Sequence, residues 1–264
     1  MDTEKLTLLL KQVQEIILAA GQFLKTESAH VVHSKEGHAN FVTDMDVAVQ
    51  ERLIRDLRQI LPEASIVAEE QDAADMAEYS WVIDPIDGTT NFICDYHFSC
   101  ISIALVHGQE SILGVVYNPY LDEMFYAAQG QGAFVNQHRI HASERPVEKG
   151  LVAMGTSPYH TELKAPTFAA AESLFSTCAD IRRSGSAALD LCYVACGRLD
   201  GFFEYILSPW DYAAGTCIVN EAGGMISGID EDWSFSHPIG ICASSRNLRD
   251  TIYRTICEKK KALL

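Results

Sequence analysis

Positive charge is the scarcest property of this sequence: 20 Lys and Arg stand against 36 Asp and Glu, a formal net charge of −16. Nucleic-acid backbones reward clustered cations, so this balance argues against a nucleic-acid partner and suits a cationic one better. No CxxC pair occurs among the eight cysteines, at 94, 100, 178, 192, 196, 217, 242 and 257, which removes the usual structural-zinc pattern. They read as reduced residues of the core. A basic leader with a cleavage pattern is missing, and so is any apolar run of membrane length, which predicts a cytoplasmic protein without a membrane partner. Fixed-period repeats and low-complexity tracts are absent too. At 264 residues and 48% hydrophobic, the chain is long enough for one large domain or two closely joined lobes.

Apolar residues recur at helical spacing from Leu6 to Phe23, predicting a helix over residues 3–26. A second helix is expected from about Asp46 to the residues before Pro62, after a polar loop at Lys35 to Asn40. From Ser99 to Val135 short β-rich runs separated by turn residues predict an antiparallel meander. Beyond the polar stretch Ser143 to Gly150 the pattern alternates strand and helix to the last residues, which implies an N-terminal lobe over 1–145 and a C-terminal α/β lobe over 146–264.

Chemistry concentrates in "VIDPIDGTTNF", residues 82–92. Trp81, Val82 and Ile83 lead in like a buried strand, which Pro85 should end near Asp84. Asp87-Gly88 signals a turn, and Thr89, Thr90 and Asn91 bring hydroxyls and backbone N–H groups suited to a helix start or a phosphate. Acids beside phosphate-ready donors need a cation between them, although Asp-Pro and Asp-Gly are also ordinary turn punctuation. "IVAEEQD" sends Glu69 and Glu70 to opposite faces; Glu69 is the candidate, and an exposed acidic turn is the competing reading. In "SPWDYAAGTCIVNEAGG" Asp211 begins a helix whose Ala213, Ala214 and Gly215 allow close backbone packing; it reads either as a helix cap or as an acid aimed into a cleft. Asp44 and Asp46 of "NFVTDMDVAVQ" stand where a second helix should start and could act as caps. His138 and His141 read as surface residues; Arg182 and Arg183 could meet a substrate phosphate or an interface acid, and an interface or structural role is the favoured reading.

Taken together, "VTDMD", the Glu69-Glu70 pair, "WVIDPIDGTTNF", "GSAA", "FFE" and "WDYAAG" followed by "EAGG", in this order along nearly the whole chain, resemble the inositol monophosphatase family of magnesium-dependent, lithium-sensitive phosphatases. The resemblance implies an α/β fold, the alternating α-β-α-β-α sandwich of the inositol monophosphatase and fructose-1,6-bisphosphatase type. It implies hydrolysis of inositol monophosphates by direct attack of a metal-activated water, two to three Mg²⁺ ions, inhibition by Li⁺ or Ca²⁺, and a homodimer. Residue by residue, it implies that Glu69, Asp84 and the Ile86 carbonyl hold one Mg²⁺, and that Asp84, Asp87 and Asp211 hold a second. A weaker third ion would lie near Glu69. Thr89, hydrogen-bonded to Asp46, would orient the attacking water, and the N–H groups of Gly88, Thr89 and Thr90 would cradle the phosphate. Gly185, Ser186, Ala187 and Glu204 would face the alcohol. Relatives selective for fructose 1,6-bisphosphate, a nucleotide 3'-phosphate or NADP share such a core, and a catalytically silent binding protein could retain the fold. Ala68, Gln50, Ser186 and Asn40 depart from residues frequent in the family, and Asn40 bears on the third ion.

Overall fold

The computed structural model describes residues 1–26, 32–34, 41–71, 75–229 and 232–264. The expected loop at Lys35 to Asn40, with its Asn40, lies outside them. Helix α1 (Thr3–Thr26) follows the predicted stripe, burying Leu6, Leu9, Leu10, Val13 and Ile17. A short hairpin, β1 (Val32–Ser34) and β2 (Phe41–Thr43), precedes α2 (Asp44–Ile60). Helix α2 begins two residues earlier than periodicity suggested, because Thr43 caps it: its hydroxyl accepts from the N–H groups of Met45 and Asp46.

A seven-stranded sheet runs in the order β3 (Ser65–Ala68), β4 (Tyr79–Asp87), β5 (Cys100–His107), β6 (Glu110–Asn118), β7 (Glu123–Ala128), β8 (Gly132–Val135), β9 (His138–Ile140), antiparallel except for β3 on β4. The one-turn helix α3 (Thr89–Ile93) connects β4 to β5. The remaining elements are β10 (Leu151–Met154), α4 (Lys164–Phe175), β11 (Asp180–Arg182), α5 (Ala187–Ala195), β12 (Gly201–Leu207), α6 (Pro209–Glu221), β13 (Met225–Gly228), β14 (Ile239–Ser244) and α7 (Arg249–Leu263). Their strands form a five-stranded sheet in the order β11-β10-β12-β14-β13. Helices α1 and α2 cover the outer face of the first sheet, α5 and α6 lie between the sheets, and α4 and α7 cover the far face of the second. This is the expected α-β-α-β-α sandwich. The two sheets fall on either side of residue 146, while α5 and α6 belong to the second segment and pack on the first sheet. One apolar core therefore joins Val82 and Val116 to Leu191, Phe202 and Ile218.

Close approach of α6 to the first sheet depends on glycine. A Cβ on Gly114 of β6 would stand 2.3 Å from the Ala214 carbonyl oxygen, so α6 contacts bare strand backbone there. Gly114→Ala is expected to destabilise the protein by about 2 kcal/mol through overpacking, read as a lower urea midpoint. A midpoint equal to wild type would show that α6 does not press on β6 as described.

Strand β4 differs from expectation at its functional end. It does not stop near Asp84 but continues through Pro85 to Asp87. Asp84 pairs with Ser102 and Asp87 with Cys100, so three steps on β4 oppose two on β5. Pro85 cannot donate to the ladder, and a bulge is one of the places where a sheet tolerates it. The extra residue matters for chemistry. In a regular strand side chains three apart point to opposite faces, and the bulge returns Asp87 to the face that carries Asp84.

Candidate active site

Asp84 and Asp87 meet Asp211 across the gap between β4 and α6: each of the three offers a carboxylate oxygen, all within 4.8 Å of one another. Local structure fixes each one. Asp84 Oδ1 accepts from the N–H of Ile86 at 2.9 Å, an Asx turn inside the bulge. Asp87 Oδ2 accepts from the Ser186 hydroxyl at 2.5 Å and the Ala188 N–H at 2.8 Å, which ties the strand end to the first turn of α5. Asp211 is the third residue of α6, and its Oδ2 accepts from the N–H of Ser208, the capping residue, at 2.7 Å. Both readings of Asp211 therefore hold, since one carboxylate caps the helix and joins the cluster. The close packing foreseen beside it is present, with Ala213 and Ala214 fully buried and a Cβ on Gly215 blocked by Leu191.

Glu69 follows β3, and its N–H bonds the Ile83 carbonyl at 3.3 Å, setting it beside Asp84. The Glu70 N–H donates to Gln50 Oε1 at 2.9 Å, and Glu70 is not among the residues that line the cavity. Burial pushes the Asp84 carboxyl well above its ordinary pKa, reinforced by the charges of Glu69, Asp87 and Asp211. Burial and then Asp87 do the same to Asp211, while Asp87 is raised by burial against the pull of its hydrogen bonds. Two buried carboxyls and a half-buried one, crowded together and with raised pKa values, are a donor set that a cation would relieve, and all-oxygen donors fit a hard divalent ion.

A cavity of about 460 Å³ opens from this cluster. It brings together every residue anticipated at the site except Asp46: Glu69, Asp84, Ile86, Asp87, Gly88, Thr89, Thr90, Gly185, Ser186, Ala187, Glu204 and Asp211. Gly88, at φ +84°, has carbonyl oxygens of Phe98 and Gly185 3.1 Å from where a Cβ would stand, so the turn into α3 accepts glycine alone without strain. The first N–H groups of α3 lack intrahelical acceptors by geometry, and Gly88, Thr89 and Thr90, where the helix starts, line the cavity.

The expected Thr89–Asp46 hydrogen bond is not the one formed. Thr89 Oγ1 donates to the Ile86 carbonyl at 3.1 Å, its own i−3 acceptor. Asp46 Oδ2 accepts from the Thr43 N–H at 2.7 Å and hydroxyl at 2.5 Å, closing a capping box on α2, and its Oδ1 is buried without a partner. The Thr-x-x-Asp spacing of "VTDMD" is the signal for that box.

At the other end of the cavity Glu204 is held by the Ser157 N–H at 2.7 Å and lies over Gly155, where a Cβ would clash with its carboxylate. Burial raises its pKa to about 7. Arg183 borders the cavity, the less favoured of its two expected placements, and so does Asp190 of α5, which the sequence did not point to. Arg183 bonds Thr156 Oγ1, whereas Arg182 pairs with Asp180 on the surface. Burial raises the pKa of Asp190 to about 8. His138 and His141 are exposed, as expected. All eight cysteines are free thiols; Cys100, Cys192, Cys217 and Cys242 are buried, and Cys94 departs from the expected core placement by being exposed. Among the described residues no helix is long and apolar enough to cross a membrane.

Comparison with known proteins agrees with this geometry. The model of the inositol monophosphatase family matches residues 4–261. The protein called Nus factor SuhB in Escherichia coli (strain K12) is 42% identical over 197 residues, 74% of each chain. Inositol monophosphatase 2 of Solanum lycopersicum is 37% identical over 247 residues, 89% of this chain and 91% of that one. The solved structure of a Thermotoga maritima IMPase superposes with a TM-score of 0.88 at 32% identity, covering 97% of this chain and 99% of the other. With the sandwich, the bulged strand and the match along almost the whole chain in agreement, this chain belongs to the inositol monophosphatase family.

Proposed function

We propose that the protein is a Mg²⁺-dependent phosphomonoesterase that hydrolyses inositol monophosphates, with closely related polyol phosphates as the next class. The observation that carries this reading is the convergence of Asp84, Asp87 and Asp211 within 4.8 Å at the end of a cavity. Glu69, Asp84 and the Ile86 carbonyl would hold one ion, and Asp84, Asp87 and Asp211 another. Bound there, Mg²⁺ supplies charge stabilisation of the phosphoryl oxygens and acidifies water. The first N–H groups of α3, from Gly88 to Thr90, orient the phosphate between the acids and the turn. Thr89, donating to Ile86, retains lone pairs that accept a hydrogen bond from the attacking water. In this reading Thr89 exchanges its Ile86 acceptor for Asp46, whose buried Oδ1 has no partner, before the proton can pass that way. Gly185, Ser186, Ala187 and Glu204 receive the alcohol, the Glu204 carboxyl accepting from neighbouring hydroxyls. The homodimer and Li⁺ inhibition remain part of the proposal on the strength of family membership.

A substrate panel tests it: inositol 1-phosphate, fructose 1,6-bisphosphate, 3'-phosphoadenosine 5'-phosphate and NADP, each with Mg²⁺ and with Li⁺ added. Preferential, Li⁺-inhibited release from inositol 1-phosphate is the expected outcome; preference for another member moves the substrate and leaves the metal chemistry in place. A second reading, a non-catalytic binding protein, has the name of the SuhB relatives, Nus factor, in its favour. Absence of release from every panel member would bring it forward.

A further inference from the structure

Past the acid cluster the cavity carries a charge arrangement to which the proposed chemistry gives no role. Asp190 lies in the first turn of α5, 2% exposed, and borders the cavity. Its Oδ2 accepts the Ser184 hydroxyl at 2.5 Å, and no described residue donates to its other carboxylate oxygen. Ser184 is itself fixed, its carbonyl accepting from Asn91 Nδ2 at 3.0 Å. The carboxyl is therefore held in place at the cavity wall. Around it stand Asp87 and Glu204, both acidic, and Arg183, whose Nη2 is engaged by Thr156.

We infer that Asp190 is a specificity-determining residue: with Glu204 it makes the leaving-group end of the cavity take a neutral polyhydroxyl alcohol and reject an alcohol that bears a second phosphate. The inference rests on the phosphatase reading above. Sugar hydroxyls donate readily to carboxyl oxygens. A second phosphate brings further negative charge and acceptors only, and above about pH 8, where Glu204 and Asp190 are both ionised, it would face two acids with one arginine to balance them, so rejection there comes from repulsion as much as from lost contacts. Asparagine at 190 reverses the polarity: its Oδ1 can keep the Ser184 hydroxyl, which turns an amide donor toward the cavity.

The test compares kcat/KM for inositol 1-phosphate and fructose 1,6-bisphosphate in wild type and Asp190→Asn with Mg²⁺ at about pH 9, where the wild-type carboxyl is ionised, together with competitive inhibition by inorganic phosphate. The expected result is a fall of about tenfold in the ratio favouring inositol 1-phosphate, with phosphate inhibition unchanged. A merely structural role would lower both substrates in proportion, and an unaltered ratio overturns the inference. If the asparagine variant does not fold, Asp190→Ser, which also removes the charge, carries the same expectation. Wild-type protein that releases phosphate from neither substrate would instead sink the phosphatase reading, and this inference with it.

Discussion

Asp84→Asn is expected to reduce phosphate release by about 10³-fold while making the metal-free protein more stable than wild type. The two signs have one cause. Asp84 is 1% exposed, and its ionised form is opposed by burial and by the like charges of Glu69, Asp87, Asp211 and Asp46. Asparagine keeps the size and an oxygen for the Ile86 N–H, removes the repulsion, and deletes the carboxylate shared between the two proposed ion positions. Steady-state kinetics and urea unfolding in chelator read the two effects separately. A variant that loses activity and stability together would mean that Asp84 serves the fold first; retained activity would refute its role as a ligand. Natural sites often show this opposition between function and stability.

Metal-free protein should also lose stability as the pH rises from about 5 to about 8, the reverse of the usual salt-bridged carboxylate. Glu204 moves from 4.5 to about 7 on folding, and Asp190 from 3.8 to about 8, each through burial; Asp84, Asp87 and Asp211 are raised as well. Between the unfolded and folded values the folded chain binds more protons than the unfolded one, so stability is greatest at the acidic end of this window and falls as pH climbs. At ~1.4 kcal/mol per pKa unit, Glu204 alone accounts for on the order of 3 kcal/mol. Returning Mg²⁺ at about pH 8 should recover much of the loss, because an ion that binds only the folded cluster stabilises it by mass action. Thermal melts across the window, in chelator and in Mg²⁺, check both statements. A melting temperature that rises with pH in chelator would contradict the burial of these acids in a cluster.

The elements that sequence made legible are those whose signal is local. Helices α1 and α2 and the β5–β8 meander follow apolar periodicity, and the sandwich follows from the order of motifs. What escaped depends on partners far along the chain. Pro85 reads as a stop because it removes a donor, and only the pairing with Ser102 and Cys100 reveals a bulge that carries the strand on to Asp87. Strand β13 is four residues long, short enough to vanish between the "EAGG" turn and the next apolar run. At the site, the acids of "DPIDGT" and "WDYAAG" could be found because motif and chemistry coincide. Asp190 could not, since a single acid inside "AALDLCYVA" carries no motif, although its apolar flanks on a buried helix were a signal. Thr89 and Asp46 show the converse case: family resemblance paired them, whereas each satisfies a nearer partner, Ile86 and Thr43.

The most direct measurement is phosphate release from inositol 1-phosphate by protein stripped with chelator, before and after Mg²⁺ is returned. The expected result is background release without the ion and full turnover with it, lost again in Asp84→Asn. Equal release in chelator and in Mg²⁺ would contradict a metal-centred phosphatase at Asp84, Asp87 and Asp211.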